Sequence, residues 1–287
     1  MTRMQMPALS GDDLEGAMTV YGVDFTSAPS RRKPIACVEC LLEGTTLRVT
    51  ALHGWPSFEG FSTMLASPGP FIAGLDFPFG QARRFVETIG WPRDWAAYVG
   101  LVSTMTRAEF HETLTAYRLP RDKGDKEHRR QVDVATRAIS PQKLHGVPVG
   151  LMFYEGAPRL LASGVTIPLL QHGDPRRIVV EAYPGVMVRR LIGSRSYKSD
   201  DRARQTADRL AARRDVMSRL KAEGGALHGL TLEAPDALAE DASGDSLDAL
   251  ICAVQAAWAW RERRRNFGIP ALADPLEGWI CDPSLIR

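Results

Sequence analysis

Alternation of apolar and polar positions dominates the first quarter of the chain. MTVYGVDFTSA (18–28), PIACVECLLEG (34–44) and TTLRVTALHG (45–54) are three β-rich runs separated by turn-forming residues. That spacing predicts a meander of antiparallel strands. FEGFSTMLAS predicts a helix or turn, and PFIAGLDFPFG predicts a fourth strand bounded by proline and glycine. A fifth, RRIVVEAYP, follows only after an interval of about residues 81–175. The interval contains helical-looking pieces, QARRFVETIG and DWAAYVGLVSTMTRAEFHETLTAYR, and a very polar loop, LPRDKGDKEHRRQVD. A connection of that length suggests an insertion or a functional element. Beyond the fifth strand the pattern predicts a helix around 185–192, a long Arg-rich helix around 200–222 and, after a glycine-containing break, a nearly all-apolar helix over 245–265. Strands first, then strand–helix alternation, predict an α/β fold with a mixed sheet flanked by helices. Residues 1–17 read as a flexible tail and 18–287 as a single domain carrying a largely helical insertion.

Composition narrows the class. With 44% hydrophobic residues in 287, the chain can bury a substantial core. No run of about 18 apolar residues predicts a membrane span. The start, MTRMQMPALSGDDLEGAMTV, lacks the basic-then-apolar order of a signal peptide, so a cytoplasmic location is expected. Four scattered cysteines, at 37, 40, 252 and 281, fit a reducing compartment. CVEC lies in a predicted strand, where residues three apart face opposite sides, and no second Cys/His pair stands at zinc-finger spacing. The six histidines, at 53, 111, 128, 145, 172 and 228, show no metal-binding spacing, and only His128, in the polar loop, is a candidate proton shuttle.

The net charge of +2 conceals segregation. Basic residues outnumber acids from Arg121 to Arg219, Glu223–Asp248 contains acids and neither Lys nor Arg, and RERRR at 261–265 is basic again. Basic surface beside an acidic pocket suits a metal-dependent enzyme handling phosphates.

The acids are the sharpest signal. SGDSLDALICAVQAAWAW, 243–260, opens an apolar helix with Asp245 and Asp248 three residues apart. Capping explains them in part: Ser243, Asp245 or Ser246 could accept from free N–H groups, with Asp248 near N3 reaching back. Alternatively, two carboxylates on one helix face serve a cation. Asp24, Asp76 and Glu181 each end an apolar strand run. Unpaired buried charge is costly, and a cation is an economical common partner. Strand ends in such a sheet converge on one crevice. Oxygen-only ligands favour Mg²⁺ or Mn²⁺; two such ions about 4 Å apart can hydrolyse a phosphodiester without a nucleophilic side chain. No Ser-His-Asp logic, G-x-S-x-G, Walker A or G-x-G-x-x-G is present.

In order, GVDFTSA, GLDFPFG, EAYP, SRSYKSDDRAR and GDSLDALICA resemble the family catalogued as domain of unknown function 429, predicted RNase H-like nucleases, over about residues 18–262. The resemblance implies a ribonuclease H-like sheet, three antiparallel strands followed by parallel ones. It implies that Asp24 touches both metals, that Asp76 is the fourth-strand acid and that Asp248 is the last-helix ligand, with Asp245 its assistant or cap. Glu181 would join the catalytic acids or anchor its strand, and Lys198, Arg202 and Arg204 would contact phosphate. DSLDALICA is also similar to the last helix of Holliday-junction resolvases, where D-x-x-D contributes metal ligands. Arg130, with Asp133, is expected at the substrate as part of a lid contact. A metal-dependent nuclease acting on DNA or RNA is therefore expected, with the oligomeric state open. Two alternatives stand beside it: an actin- or sugar-kinase-like ATPase or phosphotransferase, although Phe25 replaces the glycine its phosphate loop needs, and a catalytically silent nucleic-acid-binding module.

Overall fold

A computed structural model describes residues 16–222 and 229–285. Residues 1–15 of the expected tail, and His228, lie outside the described residues. The predicted meander is present as β1 (Met18–Asp24), β2 (Ile35–Glu43) and β3 (Thr46–Trp55), antiparallel throughout. The fourth and fifth predicted strands are β4 (Phe71–Leu75) and β6 (Asp174–Glu181). Two short strands were not anticipated: β5 (Val165–Thr166) and β7 (Thr231–Glu233). The sheet order is β5-β6-β4-β1-β2-β3-β7, with every pairing outside the meander parallel. This mixed α/β sheet, flanked by helices, is consistent with the ribonuclease H-like arrangement.

Strand periodicity divides the core in two. Met18, Val20, Val38, Ile72, Ile178 and Val180 face one side, against α7 (Pro184–Ile192), α8 (Ala207–Ala222) and α9 (Asp245–Arg261). Val23, Ile35, Phe71, Ala73, Leu75 and Val179 face the other. There they meet α1 (Phe58–Ala66) and the helices of the long interval: α2 (Arg83–Ile89), α3 (Trp95–Ser103), α4 (Arg107–Arg118) and α6 (Val149–Ser163). Cys37 and Cys40 fall on opposite sides, as period-two alternation requires, and both are free thiols. Trp258 and Trp260 are buried in the core on the α9 side. No helix among the described residues is long and apolar enough to cross a membrane.

Two helix boundaries differ from expectation. The Arg-rich helix begins at Ala207, because Arg202–Arg204 form a separate 3-10 turn capped by the Asp201 carboxylate. Helix α9 ends at Arg261; a 3-10 segment, Arg263–Gly268, follows, with Asn266 and Phe267 at positive φ. Neither correction disturbs the sheet.

The closest layer contact is between α9 and the centre of the sheet. Gly22 of β1 and Gly74 of β4 lie opposite each other in the parallel register. A Cβ on Gly22 would stand 2.0 Å from the Ala249 carbonyl oxygen, and one on Gly74 would stand 2.3 Å from that of Cys252. Two adjacent glycines thus make a trough in which the helix backbone rests on the strands. Small residues on the helix side, Ala249, Ala253 and Ala256, complete the fit. Gly22→Ala or Gly74→Ala should lower stability by about 1–3 kcal/mol or more, as overpacking does. Gly54→Ala, whose Cβ meets Pro34 at an ordinary 3.5 Å, should leave the urea midpoint nearly unchanged. Equal midpoints for all three variants would disprove the close crossing.

Candidate metal centre

The glycine trough determines which acids meet. Asp24 shares the strand face of Val20 and Gly22, and Asp76 continues the face of Ile72 and Gly74, so both carboxylates point toward α9. The Asp76 N–H donates to the Val23 carbonyl at 3.0 Å, which ties the residue beyond β4 to the end of β1. Asp248, 1% exposed, comes down from the first turns of α9. One carboxylate oxygen from each of Asp24, Asp76 and Asp248 lies within 4.8 Å of the others.

These charges repel. Burial raises the Asp24 carboxyl well above its ordinary range, and Asp248, Asp245 and Asp76 raise it further against the pull of Lys198. Burial likewise pushes Asp76 up to about 7, with Asp248 and Glu181 adding and Lys198 opposing. Among the described residues, no side chain donates a hydrogen bond to Asp24 or Asp76. Three convergent carboxylates, two of them without donors, form a hard oxygen site that could bind a divalent cation. The donor set therefore fits the expected Mg²⁺ or Mn²⁺.

Asp248 is held differently. The Tyr197 hydroxyl donates to its Oδ1 at 2.7 Å, and the Lys198 ammonium pairs with Oδ2. The segment carrying this pair is itself anchored: buried Arg213 of α8 donates to the Tyr197 carbonyl at 2.9 Å and to the Ala239 carbonyl at 2.8 Å. Lys198 is thus placed at the acids, where an amine meets a ligand carboxylate directly.

The capping expectation is revised by the same geometry. Gly244, at φ +82°, is the N-cap, which puts Asp248 at the fourth helical position, one past N3. Its carboxylate turns to Tyr197 and Lys198, away from the cap. Capping falls to Asp241, unforeseen from the sequence, which accepts from the N–H groups of Ser243 and Ser246 at 3.0 Å each. The Ser243 hydroxyl accepts from the Asp245 N–H at 3.3 Å. Asp245 is half-buried beside the cluster without being one of its three convergent acids. Burial raises its carboxyl, and Lys198 and Lys33 oppose that rise.

Glu181 and Arg130 belong elsewhere. In register Glu181 pairs with Leu75, and it shares the face of Val179, opposite α9. There it receives two hydrogen bonds from Arg130, at 2.6 and 2.8 Å, and one from the Phe79 N–H at 3.0 Å. Arg130 stands before α5 (Gln131–Thr136) and is 1% exposed. All five of its guanidinium N–H groups are used, on Glu181, Asp133 and the Glu277 carbonyl. It has no donor left for a substrate, so the expected lid contact is instead an internal clamp between the insertion and β6. Of the two roles open to Glu181, anchoring is the one its contacts fill. His128 is also internal, bonded through Nε2 to the Tyr117 hydroxyl at 2.7 Å and through its backbone to Gln142 and Ser140. Arg202 and Arg204 are exposed on their 3-10 turn, and Arg204 pairs with Asp201.

A family model matches residues 22–272, a span that includes the three acids and the Tyr-Lys segment. The chain belongs to the DUF429 family, described as protein of unknown function. No curated protein and no solved structure matches it. For this DUF429 chain the donor geometry therefore bears the functional argument.

Two measurements check this account. Removing the Arg130 side chain leaves Glu181 and Asp133 buried without their cation, so Arg130→Ala should lose roughly 3–5 kcal/mol in urea denaturation. The acid cluster should leave a pH signature. Between about pH 4 and 7 the metal-free fold keeps a proton on Asp76 that the unfolded chain has lost, so this group's contribution to stability declines as pH rises through that window. Melting temperature in chelator should follow that decline, and Asp76→Asn should flatten it. Mn²⁺ should raise the melting temperature more at about pH 8 than at about pH 5, where it must displace the proton. A cation effect independent of pH would count against Asp76 as a ligand.

Proposed function

We propose that the chain is a divalent-metal-dependent hydrolase cleaving phosphodiester bonds in nucleic acid. The convergence of Asp24, Asp76 and Asp248, two partly buried and one buried, carries this reading. In this scheme the three aspartates hold the cation, with Asp245 as an outer charge. A bound Mg²⁺ or Mn²⁺ supplies Lewis acidity and a water of lowered pKa. Tyr197 and Lys198 fix the orientation of Asp248, and Arg213 fixes the backbone that carries them. Exposed Arg202 and Arg204, together with Arg31 and Arg32 in the β1–β2 loop, offer basic groups for a phosphate backbone. Lys33 joins the two basic segments through its ion pair with Asp200, at 2.6 Å.

The test is a parallel assay of wild type and Asp24→Asn on labelled single-stranded, duplex, hybrid and branched nucleic acids, with Mg²⁺, with Mn²⁺ and with chelator. Cleavage should need the cation and should fall by about a hundredfold or more in the variant, the scale of losing a key electrostatic group. Equal metal-dependent activity in both proteins would refute the assignment. If neither folded protein cleaves, a melting-temperature shift with MgATP would point to the phosphotransferase class, and tight nucleic-acid binding without turnover to a silent module.

A further inference from the structure

The cluster already contains a cation, and it is covalently part of the chain. The Lys198 ammonium contacts Oδ2 of Asp248 and acts electrostatically on Asp24, Asp76 and Asp245. Each of those three acids has Lys198 as its largest charge stabilisation. A mobile surface lysine could swing aside for an incoming ion, but three restraints oppose that here. The neighbouring Tyr197 hydroxyl is bonded to the same carboxylate, and the Tyr197 carbonyl is held by Arg213. The lysine stem packs on Gly244, where an added Cβ would stand 2.7 Å from the Lys198 Cβ. Positive φ and close approach together reserve that position for glycine, so the helix start is shaped around this stem.

Charge balance gives the consequence. Three ionised carboxylates are neutralised by one divalent ion and one ammonium. Two divalent ions beside the ammonium would leave the three convergent acids net positive, and a second ion taking Oδ2 of Asp248 would have to share that oxygen with the amine. Like charges in a crevice of reduced dielectric repel far more than in water.

We propose that Lys198 fills the place of a second cation, so that this site binds one divalent ion rather than two. The proposal rests on the metal-site reading above, and it makes Lys198 a positioning residue whose ammonium sets the metal count. An ammonium presents three N–H donors and a fixed single charge. It orients a carboxylate or phosphate oxygen without needing a free ion.

The experiment loads metal-free, full-length protein with Mn²⁺ alone and reads bound metal by equilibrium dialysis and by electron paramagnetic resonance. Two Mn²⁺ ions about 4 Å apart, as in two-metal sites, would couple their spins. The expected wild-type result is one Mn²⁺ per chain with an uncoupled spectrum. Lys198→Met, which keeps the stem and removes the charge, should bind two with a coupled spectrum. Should that variant fail to fold, Lys198→Gln, neutral but able to donate to Asp248, carries the same comparison. Two coupled ions in wild type overturn the proposal and leave the metal site standing. A single ion in both wild type and variant also overturns it, because the amine would then not govern the count. No Mn²⁺ bound to either folded protein removes the metal-site reading itself, and the proposal with it.

Discussion

Everything at the candidate site depends on how close α9 comes to the sheet. A helix whose side chains pack on a strand surface is held off from the backbone by them, and an acid on its first turns is then carried away from acids at the strand ends. Gly22 and Gly74, side by side in the parallel register, remove the intervening side chains. The helix backbone then lies on the strands, and Asp248 comes within 4.8 Å of Asp24 and Asp76. This constraint also explains the composition of α9. Its sheet-facing residues are small, and Trp258 and Trp260 fill the core farther along, beyond the crossing.

Strand parity then sorts the charges into two separate systems. Leu75 and Glu181 are register partners, while Asp76 is the next residue on β4's path. One step along the strand reverses the face, so Asp76 turns to α9 and Glu181 turns to the insertion. The α9 face gathers acids whose one strong local cation is Lys198. The insertion face pairs Glu181 with a guanidinium that is fully bonded. A buried pair with all its donors used contributes to specificity of assembly and has no capacity left for chemistry. Glu277, which accepts from the N–H groups of Arg83 and Gln131, extends this second system to the C-terminal segment. The long interval is therefore bolted to the sheet beside the acid cluster, on the opposite face.

Much of this was legible in the chain. The meander, the two later strands and the convergence of Asp24, Asp76 and Asp248 follow from period-two alternation and from acids placed at strand ends. Position at a strand end groups Glu181 with them, and parity separates it. IVVE shows the signal: Glu181 shares the parity of Val179, whereas Asp76 shares that of Gly74. Arg130 and His128 lie in a loop so polar that its sequence reads as solvent-exposed, yet both are buried. Only the tertiary partners, Glu181 and Tyr117, account for them, and those partners are 51 and 11 residues away in sequence. Asp241 as the cap was hidden by the left-handed Gly244, which displaces the helix start from the serines and aspartates that ordinarily cap. The glycine pair was visible in YGVDF and AGLDF, each glycine two residues before its aspartate. Seen that way, G-x-D repeated on two strands is one structural device: the glycine admits the helix and the aspartate meets it.

Holding like charges together has an energetic cost that some other part of the fold must offset. At Asp24 and Asp76 that cost appears as carboxyls raised by burial and by one another. Neither carboxylate gains a hydrogen bond in return among the described residues, so the local interactions of these side chains favour separation. What opposes separation is the apolar contact along α9 and the sheet, which is continuous and buried. The arrangement is preorganised in the sense that matters for binding a cation: the three acids are already assembled, and a cation binding there would relieve repulsion rather than order a loop. Lys198 relieves part of that repulsion beforehand. Its single charge is too small to neutralise three carboxylates, and its stem lies against Gly244. The charge left on the three convergent acids is what one divalent ion would balance, and it lies at Asp24 and Asp76, which are only partly buried.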